Sequence, residues 1–164
     1  MRSGRSSSGC ATTYTILRPG LFIESWLGPA LGWDLAAGRA RIWGEGEARQ
    51  NWVSIGDVAR VAVGSLDDPR AENAVIDVAG DYASWNDARR LLEEATGRAF
   101  EVERLPLDRL QARYDDATDA HDTTFAALGL AMASGDPSER TGELRRWVAR
   151  PTTIREYAAR IARA

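Results

Sequence analysis

Residues 14–27 read YTILRPGLFIESWL, and the fold class turns on how that stretch is parsed. Tyr14 to Arg18 is a compact run of strand formers closed by Pro19-Gly20. Tyr14, Ile16 and Leu17 make it apolar on both faces, as in strands buried inside parallel sheets. Leu21 to Leu35 then places Phe22, Trp26, Leu27, Ala30 and Leu31 at helical spacing. Gly28-Pro29 should bend or break that helix, because proline lacks the N–H and its ring crowds the preceding turn. A strand, a tight turn and a helix in this order predict an α/β layer structure.

The alternation continues outward. Arg39–Trp43 and Gln50–Ile55 read as two extended segments around the turn Gly44-Glu45-Gly46, a pattern that predicts a hairpin. Ser54 to Asp57 fits a capping box with Asp in place of Glu. Behind it Val58, Val61, Ala62 and Leu66 share a helical face, and Pro69 closes the helix. Ala74–Val78 (AVIDV) is a strand, Ser84 is an N-cap, and Gly97 is a stop for a helix that turns Leu91, Leu92 and Ala95 inward. A half-exposed strand is predicted over Ala99–Leu105. Helices are predicted over Asp108–Tyr114 (capped by Asp108), Thr118–Ala133, Thr141–Ala149 and Thr153–Ala162. Strands separated by helices imply mainly parallel pairing, with a helical C-terminal lobe. Residues 1–13, rich in serine with two arginines, read as a disordered arm, and residues 14–164 as one unit without repeats or a dividing linker.

Composition narrows the function. The chain has 164 residues, 44% of them hydrophobic, enough to bury a core. All 21 basic residues are arginine, so chemistry that needs a lysine cannot run on this chain alone. A net charge of -3 without a basic run excludes electrostatic capture of nucleic acid or an anionic membrane. Cys10 is the only cysteine, so no disulfide forms within the chain. With no long apolar run and no secretory signal, a cytoplasmic location is expected.

With those elements in place, the chain resembles the NmrA-like family of atypical short-chain dehydrogenases, which are NAD(P)-binding proteins of the Rossmann superfamily. YTILRPGLFIESWL resembles the family's YTILRPG segment with its following aromatic and EN-like pair, here Glu24-Ser25. WVSIGDVARVAVGSLDDP (Trp52–Pro69) resembles its strand running into a DVA helix. Asn73–Gly80, Gly97 and Pro151-Thr152-Thr153 match its later steps in order. The resemblance runs from about Tyr14 onward and implies a partial Rossmann-like, doubly wound, mainly parallel sheet with a C-terminal substrate lobe. It implies NAD or NADP as cofactor of the intact parent and a small organic substrate. The family's glycine-rich loop holds the pyrophosphate with backbone N–H groups at a helix N-terminus. Gly44-Glu45-Gly46 lacks the third glycine and the following helix, so it reads as a turn. The chain is therefore expected to be the C-terminal half of such a domain, without the glycine-loop half and without useful cofactor affinity of its own. A chain carrying that half, or self-association, is expected to cover the incomplete sheet. The Tyr-x-x-x-Lys pair of ordinary short-chain dehydrogenases is missing too, as it often is in the resembling family, and no catalytic residue is assigned.

Individual residues follow. Pro19, Gly20, Leu21 and Phe22 lie at a strand's C-terminal end, where α/β proteins place ligands. In the resembling family this turn lies beside the nicotinamide, so these four are the cofactor-side candidates. The Pro19 carbonyl and the amides after it would face a carboxamide. Trp26 and Trp43, with Trp33 and Trp52, read either as substrate-pocket walls or as core. Asp57 reads as a first-turn carboxylate favoured by the helix dipole more readily than as an acid in a cleft. His121 among Asp115, Asp116, Asp119 and Asp122 reads as a solvated acidic turn, because no second His or Cys completes a metal site. Arg145, Arg146 and Arg150 read as a solvated face. Three functions stand at this point: a substrate-side portion of an NAD(P)H-dependent oxidoreductase or isomerase, a non-catalytic dinucleotide sensor, or a non-functional fragment.

Overall fold

A computed structural model describes residues 12–163. The expected arm falls largely outside the described residues, as does Cys10; Thr12 and Thr13 are exposed and irregular. Strand β1 (Thr15–Pro19) runs through Gly20 into β2 (Leu21–Phe22), which leads to a short helix α1 (Ile23–Trp26) and a 3-10 turn (Pro29–Leu31). The strand thus outlasts Pro19-Gly20, and the helix expected to Leu35 shrinks to one turn ahead of Gly28-Pro29. β3 (Arg39–Trp43), β4 (Arg49–Val53), α2 (Ile55–Gly64), β5 (Ala74–Val78), β6 (Asp81–Ser84) and α3 (Trp85–Thr96) follow. β7 (Glu101–Leu105), α4 (Leu107–Asp115), α5 (Ala120–Ser134) and α6 (Ile154–Ile161) complete the order.

Three of the four strand pairings are parallel: β1 with β5, β2 with β4, and β3 with β7; β4 and β6 are antiparallel. β1 and β5 run side by side for five residues, from Thr15↔Ala74 to Pro19↔Val78. They then diverge, and β4 enters between their continuations β2 and β6. Two backbone bonds pin the fork: Gly20 N donates to Val78 O at 3.0 Å and Gly80 N to Trp52 O at 2.7 Å. This is the mixed α/β, mainly parallel architecture expected. The hairpin is not formed, because β3 pairs with β7 and β4 with β2 and β6. Gly44 and Gly46, at φ of 60° and 78°, turn the chain from one sheet into another.

Capping chemistry sets the helix starts. Ser84 and Asp87 form a reciprocal capping box on α3, as do Thr153 and Glu156 on α6. On α2 only half of the expected box forms: Ser54 Oγ accepts from Asp57 N, while the Asp57 carboxylate turns elsewhere. Pro106, not Asp108, is the N-cap of α4. Thr141–Ala149 forms only a 3-10 turn at Leu144–Arg146, with Leu144 and Val148 buried.

The interior has two parts. The larger gathers Trp33, Trp43, Trp52 and Trp85 with Ile23, Leu27, Leu92 and the inner side of α6. Trp85 is its hub, with ring centroids 4.7 Å from Trp43 and 4.8 Å from Trp52. The smaller sits between one face of β1–β5 and α2, with Val53, Val61, Ile76, Val78, Leu144 and Val148. β1 itself is not buried. Tyr14 is 53% exposed, Ile16 48% and Val75 45%. Leu66, expected to face inward, is 79% exposed, since it lies beyond the end of α2.

Candidate functional site

The fork of the sheet makes the site. Gly20 passes so close to β4 that a Cβ there would collide with the Asn51 carbonyl, so only glycine allows β1 to change partner at this point. Beside it, Pro19, Gly20 and Leu21 line a cavity of about 440 Å³ with Gln50 and Asn51 of β4, Met132 of α5, and Asp136 and Arg140. The cavity lies at the C-terminal end of a parallel strand, where the strand order changes, the position at which open α/β sheets bind ligands.

Its polar wall is interlocked. Asn51 Nδ2 donates to Asp136 Oδ2 and to the Ser138 carbonyl, each at 2.9 Å, and Asn51 Oδ1 accepts from Arg140 N at 2.9 Å. Arg140 pairs with Asp136 and reaches Asp77 at 3.4 Å, while Arg18 holds the other Asp77 oxygen at 2.8 Å. Gln50 Nε2 donates to Met132 O at 2.9 Å and Tyr82 Oη to Asp136 O at 2.8 Å. Partial burial pushes the Asp136 carboxyl up, but the Ser138 amide, Asn51 and Arg140 outweigh it and hold it below the ordinary value. An ionised Asp136 and a charged Arg140 therefore form the wall, and Arg140 Nε is buried without a partner.

The candidates are only partly brought together. Pro19, Gly20 and Leu21 line this cavity; half-buried Phe22 turns away and packs on the smaller core with Val53 and Val61. The Gly20 amide is already given to Val78 O. Trp43 is buried in the larger core, and Trp26, half-buried, packs edge-on to it with ring centroids 5.8 Å apart. Trp33 and Trp52 are fully buried. Asp57 is fully buried as well, accepting from Thr152 N at 2.6 Å and from Arg60. It is a tie between α2 and the segment before α6, in addition to its first-turn position. Asp119, His121 and Asp122 place ligand atoms within 4.8 Å of one another on the surface. The Asp119 carboxylate caps α5 through Asp122 N, and the His121 ring lies 4.6 Å from that of Phe125. Glu45 O accepts from Asn86 and from Arg104, so the Gly44–Gly46 turn is a packing latch. Arg145, Arg146 and Arg150 are exposed. Asn51, Asp136 and Arg140 were not anticipated, nor was Trp85.

A nicotinamide cofactor can be tested against these residues. The cavity has the size and place for the ring end of such a molecule, with an apolar side from Pro19, Leu21 and Met132. The Gly20 amide, bonded to Val78 O, is not free to meet a carboxamide. Among the described residues no strand-turn-helix glycine loop is present for the pyrophosphate. The residues thus fit the ring end and not the phosphate end.

No family model matches the chain. The sequence is similar to isoflavone reductase homolog IRL of Zea mays, 33% identical over 108 residues, which covers 62% of this chain and 35% of that protein. The structure is similar to an NADPH-dependent quinone oxidoreductase from Escherichia coli solved with NADPH. That match has a TM-score of 0.70 at 20% identity and covers 92% of this chain and 54% of that one. A nucleoside-diphosphate-sugar epimerase from Staphylococcus aureus matches with a TM-score of 0.67 at 20% identity, over 91% of this chain and 53% of that one. The chain spans about half the length of these solved structures and about a third of the curated relative. Its mixed, mainly parallel α/β fold resembles the Rossmann-like folds of these solved structures.

Proposed function

We propose that this chain is the substrate-side, C-terminal portion of an NAD(P)H-dependent oxidoreductase or isomerase of the NmrA-like type, acting on a small organic substrate. One observation carries the reading: the Pro19–Leu21 turn closes a parallel strand and opens on a cavity walled by Asn51, Asp136 and Arg140. The similarities to a quinone oxidoreductase and an isoflavone reductase homolog support it. In this reading Pro19, Gly20 and Leu21 back the nicotinamide, and Phe22 fixes the turn from behind. Trp26, the half-exposed member of the tryptophan group, offers a substrate contact, while Trp43 sets its orientation. The hydride belongs to the cofactor; the chain supplies placement and exclusion of water. A cytoplasmic location belongs to the same proposal; no helix among the described residues is long and apolar enough to cross a membrane.

A second reading has its own observation. The charged groups in the cavity wall, Asp136 and Arg140, are tied to each other, which suits a dinucleotide sensor that releases no product. Both readings are tested on this segment joined to a glycine-loop half. NADPH consumption across a panel of quinones and carbonyl compounds is expected, falling at least about tenfold on Leu21→Arg. Bound cofactor without turnover would support the sensor; neither binding nor turnover would leave a non-functional fragment.

A further inference from the structure

Asp136 and Arg140 are the two charged residues that line the cavity at the sheet fork, and they are paired with each other. Arg140 reaches a second carboxylate, Asp77, at 3.4 Å, and Arg18 holds the other Asp77 oxygen at 2.8 Å. Asp136 stays ionised at neutral pH. Two guanidinium groups thus meet two carboxylates, and the linked set has no net charge.

The loop that carries the pair is held in place from β4 and β6. Gly135 turns it at a φ of 78°, where a Cβ would meet the Arg49 carbonyl oxygen at 2.8 Å. Asp136 N donates to that same carbonyl, also at 2.8 Å. Buried Asn51 bonds the Asp136 carboxylate, the Ser138 carbonyl and the Arg140 amide. Tyr82, opposite Asn51 in the β4–β6 register, donates its hydroxyl to Asp136 O. Turning Arg140 out to an incoming anion would leave two half-buried carboxylates, Asp77 and Asp136, without it. An anion that enters therefore sheds water and finds no free cation, whereas an uncharged group has far less to lose. The rest of the lining is largely apolar, with Pro19, Leu21, Ala131 and Met132.

We propose that the Asp136–Arg140 pair sets the specificity of this site, selecting an uncharged quinone or ketone over acceptors that bear a carboxylate, sulfonate or phosphate. The proposal rests on the oxidoreductase reading above. In that reaction a hydride, with its electron pair, passes from NAD(P)H to the acceptor. One proton from water completes the hydroquinone or alcohol, and NAD(P)+ remains.

Steady-state kinetics with NADPH on this segment joined to a glycine-loop half test it, with naphthoquinone and naphthoquinone sulfonate as the matched acceptors. In wild type the KM for the sulfonate should exceed that for naphthoquinone at least about tenfold. Each variant is then scored by its kcat/KM ratio for the two acceptors relative to wild type, which cancels their different intrinsic reactivity. Asp136→Asn leaves the Arg140 charge in excess and should move the ratio toward the sulfonate at least about tenfold. Arg140→Gln leaves the carboxylates in excess and should move it the other way. Asp136→Glu, which keeps the charge, should keep the wild-type ratio. A merely structural role would lower both acceptors together. Equal KM values in wild type, or ratios that stay fixed or move in one direction in both charge variants, would overturn the proposal and leave the oxidoreductase reading standing. Loss of NADPH consumption with every acceptor tried would overturn both.

Discussion

The tryptophan core and the β1–β5–α2 body use similar apolar material and end in opposite states. Around Trp85, aromatic rings from α1, β3, β4 and α3 meet from all directions, and α6 covers them. Around Ile76, one face of β1–β5 is packed on Val61 and Leu144, while the other face leaves Ile16 and Val75 in water. The difference is one of neighbours, not of residue type. A strand rich in Ile, Leu and Tyr is buried only where the chain brings something to both faces and both edges.

The contrast can be broken most forcefully at Trp85. Trp85→Ala removes the hub of the closed core and should cost about 3–5 kcal/mol in a urea or thermal melt. Asp57→Ala comes next. It strips a fully buried acceptor from Thr152 N and Arg60, untying α2 from the segment before α6, for about 2 kcal/mol. Asp57→Asn, which keeps one acceptor, should lose less.

A pH series sharpens the picture at the junction of the two bodies. Asp136 has a depressed carboxyl in the folded chain, so its ties to Asn51, Ser138 and Arg140 contribute stability in full above its unfolded value, near pH 4. That contribution is lost as pH falls below this value. The stability gap between wild type and Asp136→Asn should therefore be present at neutral pH and close on acidification. A gap independent of pH would remove the carboxylate from the account. The smallest effect belongs to the open face: Ile16→Thr, at a side chain already half in water, should change stability by no more than about 0.5 kcal/mol. A cost comparable to that of Trp85→Ala would erase the distinction between the two bodies.

Local signals carried much of the architecture. Ala74–Val78 matches β5, Ser84 and Gly97 bound α3, and Thr153 starts α6, because strand formers, hydroxyl caps and a left-handed glycine act within a few residues. Long-range signals were silent. Gly44–Gly46 carries every local mark of a hairpin, yet the partner of β3 is β7, at a register of Arg39↔Glu101. β6 was overlooked because Asp81-Tyr82-Ala83-Ser84 is short and polar and becomes a strand only against β4. At the site, Pro19–Leu21 was legible as the end of a strand. Asn51 and Asp136 were not, since 85 residues separate them and no local pattern links a strand residue to a loop after α5.

Among the described residues neither the closed nor the open body holds the backbone cradle that a pyrophosphate needs, and the account assigns this chain only the ring end of a dinucleotide site. Calorimetric titration of the purified chain with NADPH and with NADH tests that most directly. The account predicts no binding with a dissociation constant at or below about 10 μM, roughly -7 kcal/mol. Saturable binding at or below that concentration, abolished by Leu21→Arg, would contradict it and place a complete dinucleotide site in these residues.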